Sequence, residues 1–256
     1  MGEESVEALL EELQSGIKTA LGPRLTGLYL YGSAATGGFE PGISDVDLLA
    51  ATAGDISNDD VDGLRAMHGA LIQRRPVWND RIEAVYLSLD ALGSFKTRRS
   101  RIAVISPGEP FHFREEGAGS DWLMNWHLVT HGGRTLFGPQ PSSFITPTTH
   151  AEFVDSLCVH VLEREPWILR ASNCRAQSYV IFTLCRTLVA IRTGAHASKR
   201  DAAEWVKANV PVWADLADRA LAWRTDPTAG DRNDPESGAA LHRFYAFVRI
   251  EAAAAR

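Results

Sequence analysis

The chain has 256 residues, 45% of them hydrophobic and 23% charged, with a formal net charge of −6. That length carries one large or two modest domains, each with a core of its own. The mild acidity comes without the basic stripe of a duplex-DNA binder, which excludes nucleic acid as an expected partner and suits a small cationic molecule.

Three cysteines, Cys158, Cys174 and Cys185, leave an odd count with no metal-ligand spacing, as expected in a reducing compartment. The start, MGEESVEALL, has no basic segment followed by an apolar run, and no stretch reaches membrane-spanning length. The expectation is a cytoplasmic monomer with no membrane partner.

In chain order, Val6, Leu9, Leu10, Leu13, Ile17 and Leu21 fall on one side of a helix that Gly22-Pro23 stops. A first strand is predicted over 26–31 and a second over 45–52. A helix over 59–73 puts Val61, Leu64 and Met67 on one face. A third strand, 81–88, carries Glu83 in an otherwise apolar run, where an ionised carboxylate is costly unless it meets solvent, a metal or a partner. Residues 91–119, rich in Arg and Gly, read as an irregular connection between domains. From 121 onward the pattern is helical, over 121–131, 150–169, 176–192, 198–208, 212–223 and 235–253. The architecture expected is thus an α/β domain, a mixed sheet with flanking helices, followed by an all-α helical bundle.

The stretch LYLYGSAATGGFEPGISDVDLL, 28–49, carries the chemistry. Asp45 and Asp47 are two residues apart in a strand-like context, so they share a face while Val46 and Leu48 point into the core. Two like charges side by side call for a hard dication such as Mg²⁺, which takes few carboxylates and completes its shell with water and phosphate. Gly32, Ser33, Gly37 and Gly38 form a loop open enough for backbone and a hydroxyl to approach an anion, and a helix beginning near Ser33 would add free N–H groups. An acidic surface hairpin is the plain alternative.

Gly32-Ser33, Gly37 and Ser44-Asp45-Val46-Asp47-Leu48 resemble the signature of the polymerase-β-like nucleotidyltransferases. The order of an α/β domain before a helical bundle is similar, within that superfamily, to the aminoglycoside adenylyltransferases of the streptomycin and spectinomycin type. Leu136-Phe137-Gly138-Pro139, Thr183-Leu184-Cys185-Arg186, Thr193-Gly194 and Ser198-Lys199-Arg200-Asp201 with Trp205 extend the resemblance. It implies a nucleotidyltransferase domain at 1–105, a helical domain at 106–256 and an active site in the cleft between them. It further implies Mg²⁺-dependent transfer of AMP from ATP to a hydroxyl of a small cationic aminoglycoside or aminocyclitol. By the same resemblance Asp45 and Asp47 bind the metal, Glu83 is the general base, and Gly32, Ser33, Ser44, Asp121, Lys199 and Trp223 contact the nucleotide. Lysine at a predicted helix start opposes the helix dipole unless an anion shares the site, which agrees with a role on phosphate. Trp223 stands where a tyrosine is usual.

Two features depart from the family pattern. Streptomycin-accepting members carry an acid just ahead of the central helix, whereas Ser172-Asn173-Cys174-Arg175-Ala176-Gln177 has none; a tryptophan expected in the connection has no placed counterpart, the region reading Phe111-His112-Phe113-Arg114. The acceptor is then spectinomycin-like, or lies outside the aminoglycosides; a protein side chain as acceptor and a silent nucleotide-binding module are the remaining readings. His127 and His131 have the i, i+4 spacing of a zinc pair, but no accompanying Glu, and read as ordinary helix residues.

Overall fold

The computed structural model describes residues 5–119, 122–226, 228–230 and 232–256. The chain forms two compact units, 1–148 and 149–256.

The first unit opens with helix α1 (Val6–Leu21), capped by Ser5 and ended at Gly22, whose φ of 53° takes the chain out of the helix. Leu9, Leu10, Leu13 and Ile17 form its buried stripe. Strands β1 (Leu25–Tyr31) and β2 (Val46–Thr52) flank a single helical turn, α2 (Ser33–Thr36). Helix α3 (Asn58–Arg74) begins in a capping box in which Ser57 and Asp60 satisfy each other's backbone N–H. Strand β3 (Ile82–Ser88), the short α4 (Leu89–Ser94), the hairpin β4 (Ser100–Ser106) and β5 (Glu109–Ala118), helix α5 (Leu123–Gly132) and strand β6 (Arg134–Phe137) complete the unit.

The six strands run in the order β5-β4-β3-β2-β1-β6. Only β2 and β3 pair in parallel, so the sheet is mixed. Alternation along the strands sends Leu28, Leu30, Val46, Leu48, Ile82, Ala84 and Tyr86 to the face covered by α1 and α3. Each fully buried Leu, Ile or Val among them contributes roughly 1.5–3 kcal/mol. The opposite face carries Tyr29, whose ring meets Phe144 at 5.7 Å and whose hydroxyl donates to the Pro139 carbonyl at 2.8 Å. Helix α5 packs on β1 from this side.

The second unit is helical: α6 (His150–Glu163), α7 (Glu165–Leu169), α8 (Cys174–Thr193), α9 (Lys199–Asn209), α10 (Ala214–Thr225) and α11 (Pro235–Ala254). Helix α8 is central, packing against α6, α9, α10 and α11. Its buried residues, Val180, Ile181, Phe182, Leu184, Cys185 and Leu188 among them, organise the core. All three cysteines are buried free thiols. No helix of the described residues is long and apolar enough to cross a membrane.

Two expectations need correction. Residues 91–119 are not an irregular connection but α4 and the β4–β5 hairpin. The division accordingly falls at 148/149 rather than 105/106. A cut at 105 would split β4 from its antiparallel partner β5, paired at Ala103↔Phe113 and Val104↔His112, and would strip β6 from β1. The charges there are accommodated locally: Arg101 stacks 3.3 Å from the centre of the Phe113 ring, Arg98 pairs with Asp90, and Arg99 donates to the Gly117 carbonyl.

Candidate active site

Asp45 is the last residue before β2, Asp47 the second of β2 and Glu83 the second of β3. The parallel register sets Asp47 opposite Glu83, and the antiparallel β1–β2 register sets Tyr31 opposite Asp47. A row of polar side chains therefore crosses three adjacent strands on the face away from α1 and α3. Carboxylate oxygens of Asp45, Asp47 and Glu83 all lie within 4.8 Å of one another, and each residue is half-buried. The expected shared face for Asp45 and Asp47 is what the strand produces.

Three carboxylates this close repel unless a cation or a proton offsets them. Their hard oxygen donors, open on one side to solvent, fit Mg²⁺, which keeps several coordination positions for water and phosphate. Space around the cluster is tightly set. Gly32 has φ 67° and ψ −150°, a region that essentially only glycine occupies, and a Cβ built there would fall 2.0 Å from Asp47 Oδ2. Its carbonyl accepts from the N–H groups of Ala35 and Thr36, both at 3.2 Å, and from the Thr36 hydroxyl at 3.0 Å, which winds the turn that begins at Ser33.

Tyr31, not among the expected site residues, belongs to this row. It is 3% exposed. Burial first, then the charges of Glu83, Asp47 and Asp45, hold its phenol well above the usual range, while Asn125 Nδ2 donates to its oxygen at 3.5 Å. A neutral hydroxyl thus lines the acidic cluster. The signal was present in the alternation, since Tyr31 falls on the same face as Asp47 once β1 and β2 are paired.

The remaining predicted residues are placed unevenly. Ser33 opens α2, half-buried beside Gly32. Ser44 is 3% exposed and its Oγ accepts the Glu40 N–H at 3.0 Å, so that oxygen closes the loop into β2. Lys199 is the first residue of α9, after its cap Ser198, and its Nζ lies 5.5 Å from the centre of the Tyr179 ring. Trp223 belongs to the apolar core of the helical unit, 8% exposed. Asp121 lies outside the described residues. His127 is buried with Nδ1 2.8 Å from the Thr148 hydroxyl, and its ring stacks on His131 at 3.9 Å.

Residues 143–249 match the family model described as aminoglycoside adenylyltransferase, C-terminal domain. The whole chain resembles the crystal structure of spectinomycin adenyltransferase AAD(9) from Enterococcus faecialis with ATP and spectinomycin. The TM-score is 0.74 at 14% identity, covering 97% of this chain and 99% of that one, and this likeness speaks for the fold. A toxin–antitoxin structure with AMP-PNP covers 61% of this chain and 90% of its own at 14% identity, but its TM-score of 0.29 is too low to argue from. No curated protein matches the chain in sequence. A mixed sheet ahead of a helical unit, with converging carboxylates on the sheet, is the arrangement expected from the resemblance to the nucleotidyltransferases.

Proposed function

We propose that this protein transfers AMP from ATP, with Mg²⁺, to a hydroxyl of an aminoglycoside or aminocyclitol antibiotic, with spectinomycin as the leading acceptor. The observation that carries the reading is the convergence of Asp45, Asp47 and Glu83, with oxygens within 4.8 Å of one another beside the Gly32-Ser33 turn. The spectinomycin adenyltransferase that shares the fold, solved with ATP and spectinomycin, supports the choice of both substrates. The lack of a carboxylate in 172–177 favours spectinomycin over streptomycin.

Asp45 and Asp47 would hold the metal, which when bound neutralises phosphate charge and helps align the reacting groups. Glu83 takes the proton of the attacking hydroxyl as its oxygen bonds to the α-phosphorus and pyrophosphate departs. Ser33 donates to phosphate oxygens. Lys199 sits at a helix start, where its charge is unfavourable alone and favourable when shared with a triphosphate. Trp223 is left out of this scheme because its ring is committed to the core, and Ser44 acts through its place in the loop.

The test is pyrophosphate release from ATP with and without Mg²⁺, on addition of spectinomycin, streptomycin or other hydroxylated amines. Metal-dependent release with spectinomycin is expected, and little with streptomycin. Release only with a non-antibiotic acceptor would move the substrate class; no release with any, despite ATP binding, would leave a silent nucleotide-binding module.

A further inference from the structure

Arg81 stands at the mouth of β3, two residues before Glu83, and grips the chain on both sides of Asp45. Its backbone carbonyl accepts the Val46 N–H at 2.9 Å. Its guanidinium donates twice to the Ser44 carbonyl, from Nη2 at 2.7 Å and Nε at 3.1 Å. Asp45 is the residue between those two anchors, and it lies outside the β2 ladder, which begins at Val46. The Ser44 N–H is held by the Glu40 carbonyl at 2.9 Å in the loop, and the Ser44 carbonyl by Arg81.

Arg81 is itself held. Its guanidinium lies 4.6 Å from the centre of the Trp78 ring, which is 2% exposed, and Nη1 reaches the Val77 carbonyl at 3.5 Å. Its N–H donates to the Trp78 carbonyl at 3.1 Å. Asp80, with φ 55° the one non-glycine residue of positive φ among the described residues, turns the chain into β3. Asp80 Oδ1 also accepts the Gly108 N–H at 3.3 Å. The strained corner and the aromatic platform aim a rigid fork at one carbonyl.

We infer that Arg81 is a positioning residue for Asp45: it fixes the two peptides that flank this carboxylate and places a cation beside it, so that Asp45 can approach Asp47 and Glu83. The inference rests on the proposed metal-dependent reaction. A lysine keeps the charge but offers a compact ammonium in place of the planar fork, so the two donations to Ser44 are not reproduced. Outer partners that orient a metal ligand typically set roughly 10–100-fold of metal affinity.

Mn²⁺ binding to the full chain without ATP, followed by electron paramagnetic resonance, tests it. The wild type binds and Asp45→Asn loses most of the affinity. Arg81→Met is expected to weaken Mn²⁺ by about 10-fold or more, and Arg81→Lys by less, with thermal midpoints near that of the wild type. If the Arg81→Met variant fails to fold, Arg81→Lys alone decides. Arginine variants that bind Mn²⁺ like the wild type while Asp45→Asn does not would overturn the inference and leave the proposed function standing. So would a loss of affinity that only accompanies a midpoint lowered by many degrees, which assigns Arg81 to the fold. A wild type that binds no Mn²⁺ removes the proposed metal site, and this inference with it.

Discussion

Gly32 and Asp47 are so close that no side chain fits between them: a Cβ on Gly32 would sit 2.0 Å from Asp47 Oδ2 and 2.8 Å from Cγ. The glycine also occupies a backbone region, φ 67° and ψ −150°, that costs other residues about 1–3 kcal/mol. Gly32→Ala is therefore expected to displace the Asp47 carboxylate and to lower stability by about 1–3 kcal/mol. Urea unfolding measures the second effect and Mn²⁺ binding the first. An alanine variant with native stability and native metal affinity would show that the turn has more room than the geometry allows.

Glu83 is half-buried in register with Asp47. Glu83→Gln keeps the size and hydrogen-bonding shape of the side chain but not its basicity. Activity is expected to fall by about 10²–10⁴-fold, the usual contribution of a positioned base, while the far-ultraviolet spectrum and melting temperature hold. Asp47→Asn should instead act through the metal, so that raised Mg²⁺ concentrations recover part of its activity. Rate measurements across a Mg²⁺ titration distinguish the two; full activity in Glu83→Gln would remove Glu83 from the chemistry.

Much of this arrangement could be read from residue order. The α1 stripe of Leu9, Leu13 and Ile17 follows helical spacing and is buried as that spacing demands. Asp45 and Asp47 fall on one face because strand geometry has a period of two, and most helices of the second unit fall where expected, although the one expected over 150–169 divides at Arg164, ahead of Pro166, into α6 and α7. What escaped was set by partners distant in sequence. The β4–β5 hairpin looks like a linker because its strands are studded with Arg and Glu, yet Arg101 lies flat on Phe113 and the backbone pairs across. Strand β6 is four residues long, too short for any period to show. Trp223 matches a nucleotide-contact position by resemblance alone, and only the packing of α10 shows that most of its ring lies in the core. Arg81 looks like an ordinary charge at a strand start, and only the fold brings the Ser44 carbonyl to its guanidinium.

Lys199 offers a test that separates binding from folding. It is the first residue of α9, at the positive end of the helix dipole. If it contacts the triphosphate, Lys199→Met loses a charge-assisted hydrogen bond of about 1.5–3 kcal/mol, about 10–100-fold in ATP affinity. Calorimetry with ATP and a thermal melt on the same sample read both. Unchanged ATP affinity would leave Lys199 with its contact to Tyr179 alone and no part in nucleotide binding.

The acid side of the stability profile should be set in part by His68. This α3 residue is 2% exposed, stacked on Phe111 at 5.7 Å, with Nε2 2.7 Å from the Tyr86 hydroxyl. Burial brings its pKa down from 6.5 to about 4. Above pH 6.5 the ring is neutral in both folded and unfolded chains and contributes no pH dependence. Between 6.5 and about 4 the unfolded chain takes up a proton that the folded one refuses, so stability falls as the solution is acidified. The full loss, reached below the folded value, is on the order of 3 kcal/mol. His160 in α6 adds to the same trend: burial, then the neighbouring charges of Arg164 and Arg186, bring it to about 4 as well. Urea midpoints measured from about pH 7 down to about 4.5, which spans most of that window, should decline in the wild type and decline less steeply in His68→Gln. Glutamine keeps a hydrogen-bonding group toward Tyr86 but cannot take the proton. Parallel curves for the two proteins would mean that His68 titrates normally, and that the pocket formed by Tyr86 and Phe111 admits its charge.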